Sequence, residues 1–154
     1  MDSLSHLVAT AVLLDDDPAT LLGAVAPDMP WYALYPAWLI SEGELASALR
    51  GGEWPLPPRW VREAHYASHS LLTVATVWVL IRRWRGNVET QDLASLHGSV
   101  FAAWLLHILL DVPTHTRERM APRPFWPLWR WAYDGFSWAD HLAGWVARWL
   151  RKAP

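Results

Sequence analysis

Two stretches without a single Asp, Glu, Lys or Arg, Ala64 to Ile81 and Leu93 to Leu110, set the terms on which this chain can fold. Neither alternates with period two, and both outrun an ordinary strand, so both read as helices. Each carries two histidines, His65 and His69 in the first, His97 and His107 in the second. Segments of this length can enter a bilayer, but an imidazole there is costly unless it is paired or bound to a ligand. The runs are therefore either core helices of a soluble bundle or membrane spans that hold a site. No other segment alternates for long and no repeat is present. The expected class is all-α, a single-domain bundle of about five to seven helices over residues 1–154.

Composition removes several functions. With 53% hydrophobic and 18% charged residues, against about 25% charged in ordinary soluble domains, the chain is not disordered. A net charge of -2 provides no general field for a phosphate backbone, so bulk nucleic-acid binding is not expected. The absence of cysteine excludes disulfides, thiolate zinc sites and cysteine nucleophiles, leaving His, Asp and Glu to hold any metal. Thirteen tryptophans suit half-wet places such as ligand clefts and the headgroup layer, although large rings also fill cores. No basic stretch precedes the first apolar run, so no cleaved signal peptide is expected, and the location reads as intracellular, at the cytoplasmic membrane.

Local signals place the elements. Asp2 or Ser3 can cap a helix running to Leu14, apolar nearly all round and so expected to be buried, with His6 opposite Leu4, Leu7, Val8 and Ala11. Asp15-Asp16-Asp17-Pro18 reads as a solvated stop and restart, with Asp17 as N-cap and Pro18 in the first helical position. Pro27, Pro30 and Pro36 exclude regular helix throughout the following segment. Ser41 with Glu44 reads as a capping box for a short helix ending at Gly51-Gly52. Arg59 to Arg85 reads as one helix ended by Gly86, and Thr90 caps the next, which runs to about Val112 before Pro113. Arg117 to Gly135 reads as loop with one short helix near Trp129. A last helix opens at Ser137 and Asp140 and ends with Arg148, Arg151 and Lys152.

The sharpest chemical signal is His107-Ile-Leu-Leu-Asp111-Val-Pro-Thr-His115. Residues four apart share one helix face, so His107 and Asp111 can chelate one ion, and His115 beyond Pro113 is free to swing toward the same ion or a second. The alternative is a buried histidine paired with an aspartate for structure alone. His65 and His69 form another four-apart pair, of which one is expected to ligate and the other to pack. Asp28, between Pro27 and Met29-Pro30, is either a carboxylate fixed for aim or a turn former. His6 alone would be a core histidine, Asp140-His141 a helix cap, and His97, without an acidic neighbour in register, structural or exposed.

Taken in order, Ser5-His6-Leu7, the run from Gly23 through Pro27-Asp28 to Tyr32, Glu63-Ala-His65-Tyr66, and His107 with Asp111 and His115 resemble the zinc-dependent phospholipase C/D family. That family is similar in its helical fold to single-strand nucleases. His65 with His69-Ser70-Leu71, amid apolar helices, is similar to bacterial membrane-associated metal-dependent hydrolases. The resemblance implies one zinc site of Asp28, His65, His107 and Asp111, with Asp111 bridging to a second ion that takes His6 or His115. It also draws in His69 and His141 as candidate ligands. Asp28 or Asp111 then orients the attacking water as the catalytic carboxylate, and one or two zinc ions, or another divalent metal, are expected. Two features depart from the family. The chain starts with Met1 instead of a mature tryptophan whose amine ligates, and Trp145 stands where a carboxylate would follow His141. A three-zinc cluster is therefore not expected.

The function that follows is metal-dependent hydrolysis of a phosphoester, a phospholipid or small phosphodiester, by a metal-activated water at a membrane surface or bilayer. Arg117, Arg119, Arg123 and Arg130 in the loop after the metal motif can meet a phosphate or simply face solvent. The alternatives are a metal-stapled, non-catalytic membrane-associated bundle and a membrane bundle whose His and Asp residues carry protons.

Overall fold

A computed structural model of the protein describes residues 3–52, 54–85, 91–137, 141 and 151. Among these the chain is all-helical, without strands. The helices are α1 (Ser3–Leu13), α2 (Pro18–Val25), α3 (Met29–Ser41), α4 (Leu45–Leu49), α5 (Arg59–Ser68), α6 (Leu71–Arg85) and α7 (Gln91–Thr114). Short 3-10 turns occupy Ala26–Asp28 and Arg117–Arg119. Outside the description lie Asp2, Gly86, Thr90, the side chains of His97 and Arg119, and the expected last helix apart from Ser137, His141 and Arg151.

The start of α2 forms as its residues dictate, with the Asp17 carboxylate accepting from the Ala19 amide and Pro18 in the first turn. α2 then packs closely along α7. Gly23 makes the approach possible, because a Cβ there would collide with the Val100 backbone. Ala24, Ala103 and Ile108 are buried. A second apolar cluster, Tyr35, Leu39 and Val61 with Trp31, Leu34, Trp38 and Leu45 around it, joins α3 to α5. The two together hold the Ala26–Asp28 turn against α5 and α7.

Several local expectations change. α1 is turned the other way: His6 and Thr10 are buried while Leu4, Val8 and Val12 face outward. Burial follows the face that carries polar partners for the site, not the apolar one. Pro30 sits in the first turn of α3, where it costs no hydrogen bond, and Pro36 is accommodated inside that helix. The Ser41–Glu44 capping box does not form. Ser41 instead ends α3, its hydroxyl donating to the Trp38 carbonyl, and Gly43 makes the turn at φ +74°.

The expected helix from Arg59 to Arg85 is broken at His69-Ser70 and bends by 63°. The Ser70 hydroxyl accepts from the Leu72 amide and donates to the Trp126 carbonyl, while the Leu71 amide donates to Pro124. A serine cap and an inserted loop thus take over backbone groups that a continuous helix would pair. α7 runs through Pro113 to Thr114, and the His115 amide still donates to the Asp111 carbonyl, so His115 does not swing independently. Near Trp129 the described chain makes turns and extended loop, not a helix. Among the described residues no single helix is long and apolar enough to cross a membrane; the bent pair α5–α6 passes that test by length and composition only.

Gly23→Ala should force α2 from α7, lowering stability by about 1–3 kcal/mol. Thermal or urea unfolding checks this, and an unchanged midpoint would contradict the close approach.

Candidate metal centre

Four side chains from three elements converge on one point. The Ala26–Asp28 turn brings Asp28, the break after α5 brings His69, and one face of α7 brings His107 and Asp111. Each offers a donor atom, and the four donors lie within 4.8 Å of one another. His69, His107 and Asp111 are buried, and Asp28 is partly so.

Backbone carbonyls decide which ring nitrogens face inward. His107 Nδ1 lies 2.6 Å from the Ala24 carbonyl and His69 Nδ1 lies 2.9 Å from the His65 carbonyl. A carbonyl can only accept, so both Nδ1 atoms carry hydrogen and both Nε2 atoms present their other valence to the cluster. The two Nε2 atoms are 3.1 Å apart. Bare lone pairs at that distance repel unless a proton or a cation lies between them.

The spacing suits a cation. Zinc bonds of about 2.05 Å give a tetrahedron with edges of about 3.3 Å. Here His69 Nε2 lies 3.4 Å from Asp28 Oδ1 and 3.3 Å from Asp111 Oδ2, and His107 Nε2 lies 3.6 Å and 3.3 Å from the same oxygens. With the 3.1 Å between the imidazoles, five edges of a tetrahedron match. Two imidazoles and two carboxylates form a donor set able to hold a divalent ion, and the set is shared by several metals.

Without an ion, protons and charges settle as follows. Burial works against a charged His69, but hydrogen bonds to Asp111 and Asp28 outweigh it and raise its pKa to about 9. Burial likewise opposes ionised Asp28, but the hydrogen bond from His69, the charge of His107 and the bond from Ser3 lower it to about 2. Asp111 is held well below the usual carboxylate range, its desolvation overcome by His107, His6 and His69. Both carboxylates are thus held ionised at neutral pH, and ionised oxygens favour a cation.

The surrounding residues orient these donors. His6 Nε2 is 2.8 Å from Asp111 Oδ1, its ring stacked on His107 at 3.7 Å. Burial lowers the pKa of His6, leaving it neutral. His115 Nδ1 reaches the same Asp111 oxygen at 3.3 Å, and burial lowers its pKa too. Asp111 thus presents one oxygen to His69 and His107 and the other to His6 and His115. Ser3 donates to Asp28 Oδ2 and meets the Tyr32 hydroxyl at 2.9 Å. These two partners were not singled out from the sequence, although Ser3 lies one helical turn before His6 and Tyr32 one turn after Asp28.

His65 lies apart from the four-donor group, its ring 4.0 Å from that of His69. It is buried, neither ring nitrogen has a partner, and desolvation pushes its pKa well down. His65, Asp28 and His115 line a cavity of about 710 Å³ walled by Trp31, Tyr35 and Trp54. His141 is not brought to the cluster; it is exposed, its Nδ1 bonded to the Ser137 carbonyl and its ring edge-on to Phe136.

The chain matches no family model, no curated protein and no solved structure. The likeness to zinc phospholipases therefore rests on motif order.

Two outcomes are expected. Ser3→Ala should weaken divalent-ion affinity about 10–100-fold by freeing Asp28, while His141→Ala leaves it unchanged, both read by competition with a chromophoric chelator. Ion uptake must also displace the His69 proton, so affinity should rise with pH toward about 9. The ion-free protein shows the opposite trend. A histidine with its pKa raised above 6.5 stabilises the fold fully below 6.5, and that stabilisation is lost as pH rises through about 9. Urea unfolding with and without zinc across this range checks both signs.

Proposed function

We propose that the protein is a metal-dependent hydrolase, zinc being the preferred ion, which cleaves a phosphoester at a membrane surface. The carrying observation is that the four-donor cluster adjoins a cavity instead of being sealed. Asp28 belongs both to the cluster and to the wall of the cavity. A purely structural ion is usually closed off by its ligands, whereas a catalytic one keeps an open side.

When bound, a divalent ion supplies Lewis acidity and lowers the pKa of water toward about 7. The protein's own groups do the rest. Asp28, braced by Ser3, can orient a water at the mouth of the cluster. Asp111, held from its far side by His6, keeps the inner face negative. His65, a buried imidazole at the wall of the cavity with neither nitrogen partnered, would supply a hydrogen bond to a phosphoryl oxygen that reaches it. The second oxygen of Asp111, between His6 and His115, is where a second ion would bind. The aromatic walls fit an apolar substrate portion, which supports an amphiphilic phosphoester over a nucleotide chain.

The test is hydrolysis of bis(p-nitrophenyl) phosphate and of short-chain phospholipids by zinc-reconstituted protein. Activity should vanish with chelator and return with zinc. His65→Gln should retain the ion but lose about 10²–10³-fold in kcat, the cost of one transition-state donor. An ion-loaded protein inactive on every phosphoester would instead mean that the ion only staples the bundle.

A further inference from the structure

The loop that follows α7 builds a second hollow, unrelated to the four-donor cluster. Arg117, Arg123 and Arg130 line a pocket of about 310 Å³, backed by Tyr66 and Trp131. Tyr66 lines this pocket and its neighbour His65 lines the aromatic cavity, and the two hollows share no lining residue. Among the described residues no carboxylate lines it. The nearby acids offset these charges only in part: Glu63 accepts from Trp126 Nε1 at 2.6 Å, pairs with Arg59 and also feels the charges of Arg130 and Arg123, while Asp134 accepts from the Arg117 amide at 2.9 Å. Three guanidinium groups sharing one hollow repel one another, and an oxyanion would relieve that repulsion.

The pocket is pre-formed. Arg123 lies 4.0 Å above the Tyr66 ring, and the Arg117 side chain donates twice to the Ala132 carbonyl. The same loop is tied to the start of α6 through the carbonyls of Pro124 and Trp126. On this rigid base it displays apolar groups outward. Phe125, Trp129 and Trp131 gather with ring centroids 5.7 to 6.3 Å apart. Trp129 is 59% exposed and Leu128 83%. A soluble anion would satisfy the arginines but leave this apolar shelf in water. A phospholipid surface satisfies both, with phosphates at the arginines and the rings at headgroup depth.

We infer that the Arg117, Arg123 and Arg130 pocket binds the phosphate of an anionic phospholipid headgroup while Leu128 and Trp129 enter the interface, docking the protein on the bilayer. The inference shares with the function proposed above its placement at a membrane, but it needs neither the ion nor the hydrolysis.

Co-sedimentation of the full chain with vesicles, chelator present throughout, separates this docking from the chemistry. Vesicles of phosphatidylcholine alone are compared with vesicles that also contain phosphatidylserine, and inorganic phosphate serves as competitor. Wild type should prefer the anionic vesicles. Arg130→Gln should weaken that binding about fivefold, the effect of one basic residue near the surface. Trp129→Ser should weaken binding to both compositions several-fold. Both side chains are exposed, so circular dichroism and the thermal midpoint should stay at wild-type values. Equal vesicle binding by wild type and both variants would overturn the inference. So would calorimetric binding of inorganic phosphate without vesicle binding, which would make the pocket a free-anion site.

Discussion

The bundle is organised around two imidazole nitrogens that face each other at 3.1 Å. Such a contact survives only if something positive lies between the rings and if both rings are prevented from turning away. The backbone supplies the second condition. The Ala24 carbonyl fixes His107 and the His65 carbonyl fixes His69, each by accepting from Nδ1. Those carbonyls are in place only because α2 lies close enough to α7, which needs Gly23, and because the chain breaks after α5, which needs the cap at Ser70. Packing and donor orientation are therefore one design, and a change at a helix contact distant from the cluster is felt at the donors.

The same constraint explains the unusual distribution of polarity. A small all-helical chain with buried His, Asp, Ser and Thr around its centre must turn polar helix faces inward. α1 does so with His6 and Thr10, which leaves Leu4, Val8 and Val12 outward. Each inward polar group has work to do: His6 braces Asp111, and Ser3 braces Asp28. Buried polar groups are tolerated when they are paired; of the described residues with unpartnered buried atoms, His6 at Nδ1, Thr20 at Oγ1 and His65 at both ring nitrogens, His65 is the one that lines the cavity.

Much of this was legible in the residues. The four-residue spacing of His107 and Asp111 places both on one face, and they share that face in α7, whereas His115, expected to swing free beyond Pro113, instead continues the helical register and reaches Asp111 as well. Asp28 between prolines was legible as a residue of a stiff turn, but whether its carboxylate is aimed at a site or only forms the turn was left open by the residues alone. The choice between His65 and His69 was not legible from spacing, since it depends on a helix break made by tertiary contacts from Pro124 and Trp126. The orientation of α1 was misjudged for a related reason: hydrophobicity alone predicts which face is buried only where the core is apolar, and here it is a polar site. His141, drawn in by motif order, has no spatial counterpart at the cluster.

Cobalt substitution tests the central claim most directly. Cobalt(II) added to metal-free protein should give the intense visible absorption of a four-coordinate ion, and X-ray absorption of the same sample should show two imidazoles among nitrogen and oxygen ligands only. His69→Ala or His107→Ala should remove one imidazole from that count. A six-coordinate spectrum with weak absorption, or a coordination shell indifferent to both substitutions, would contradict the account.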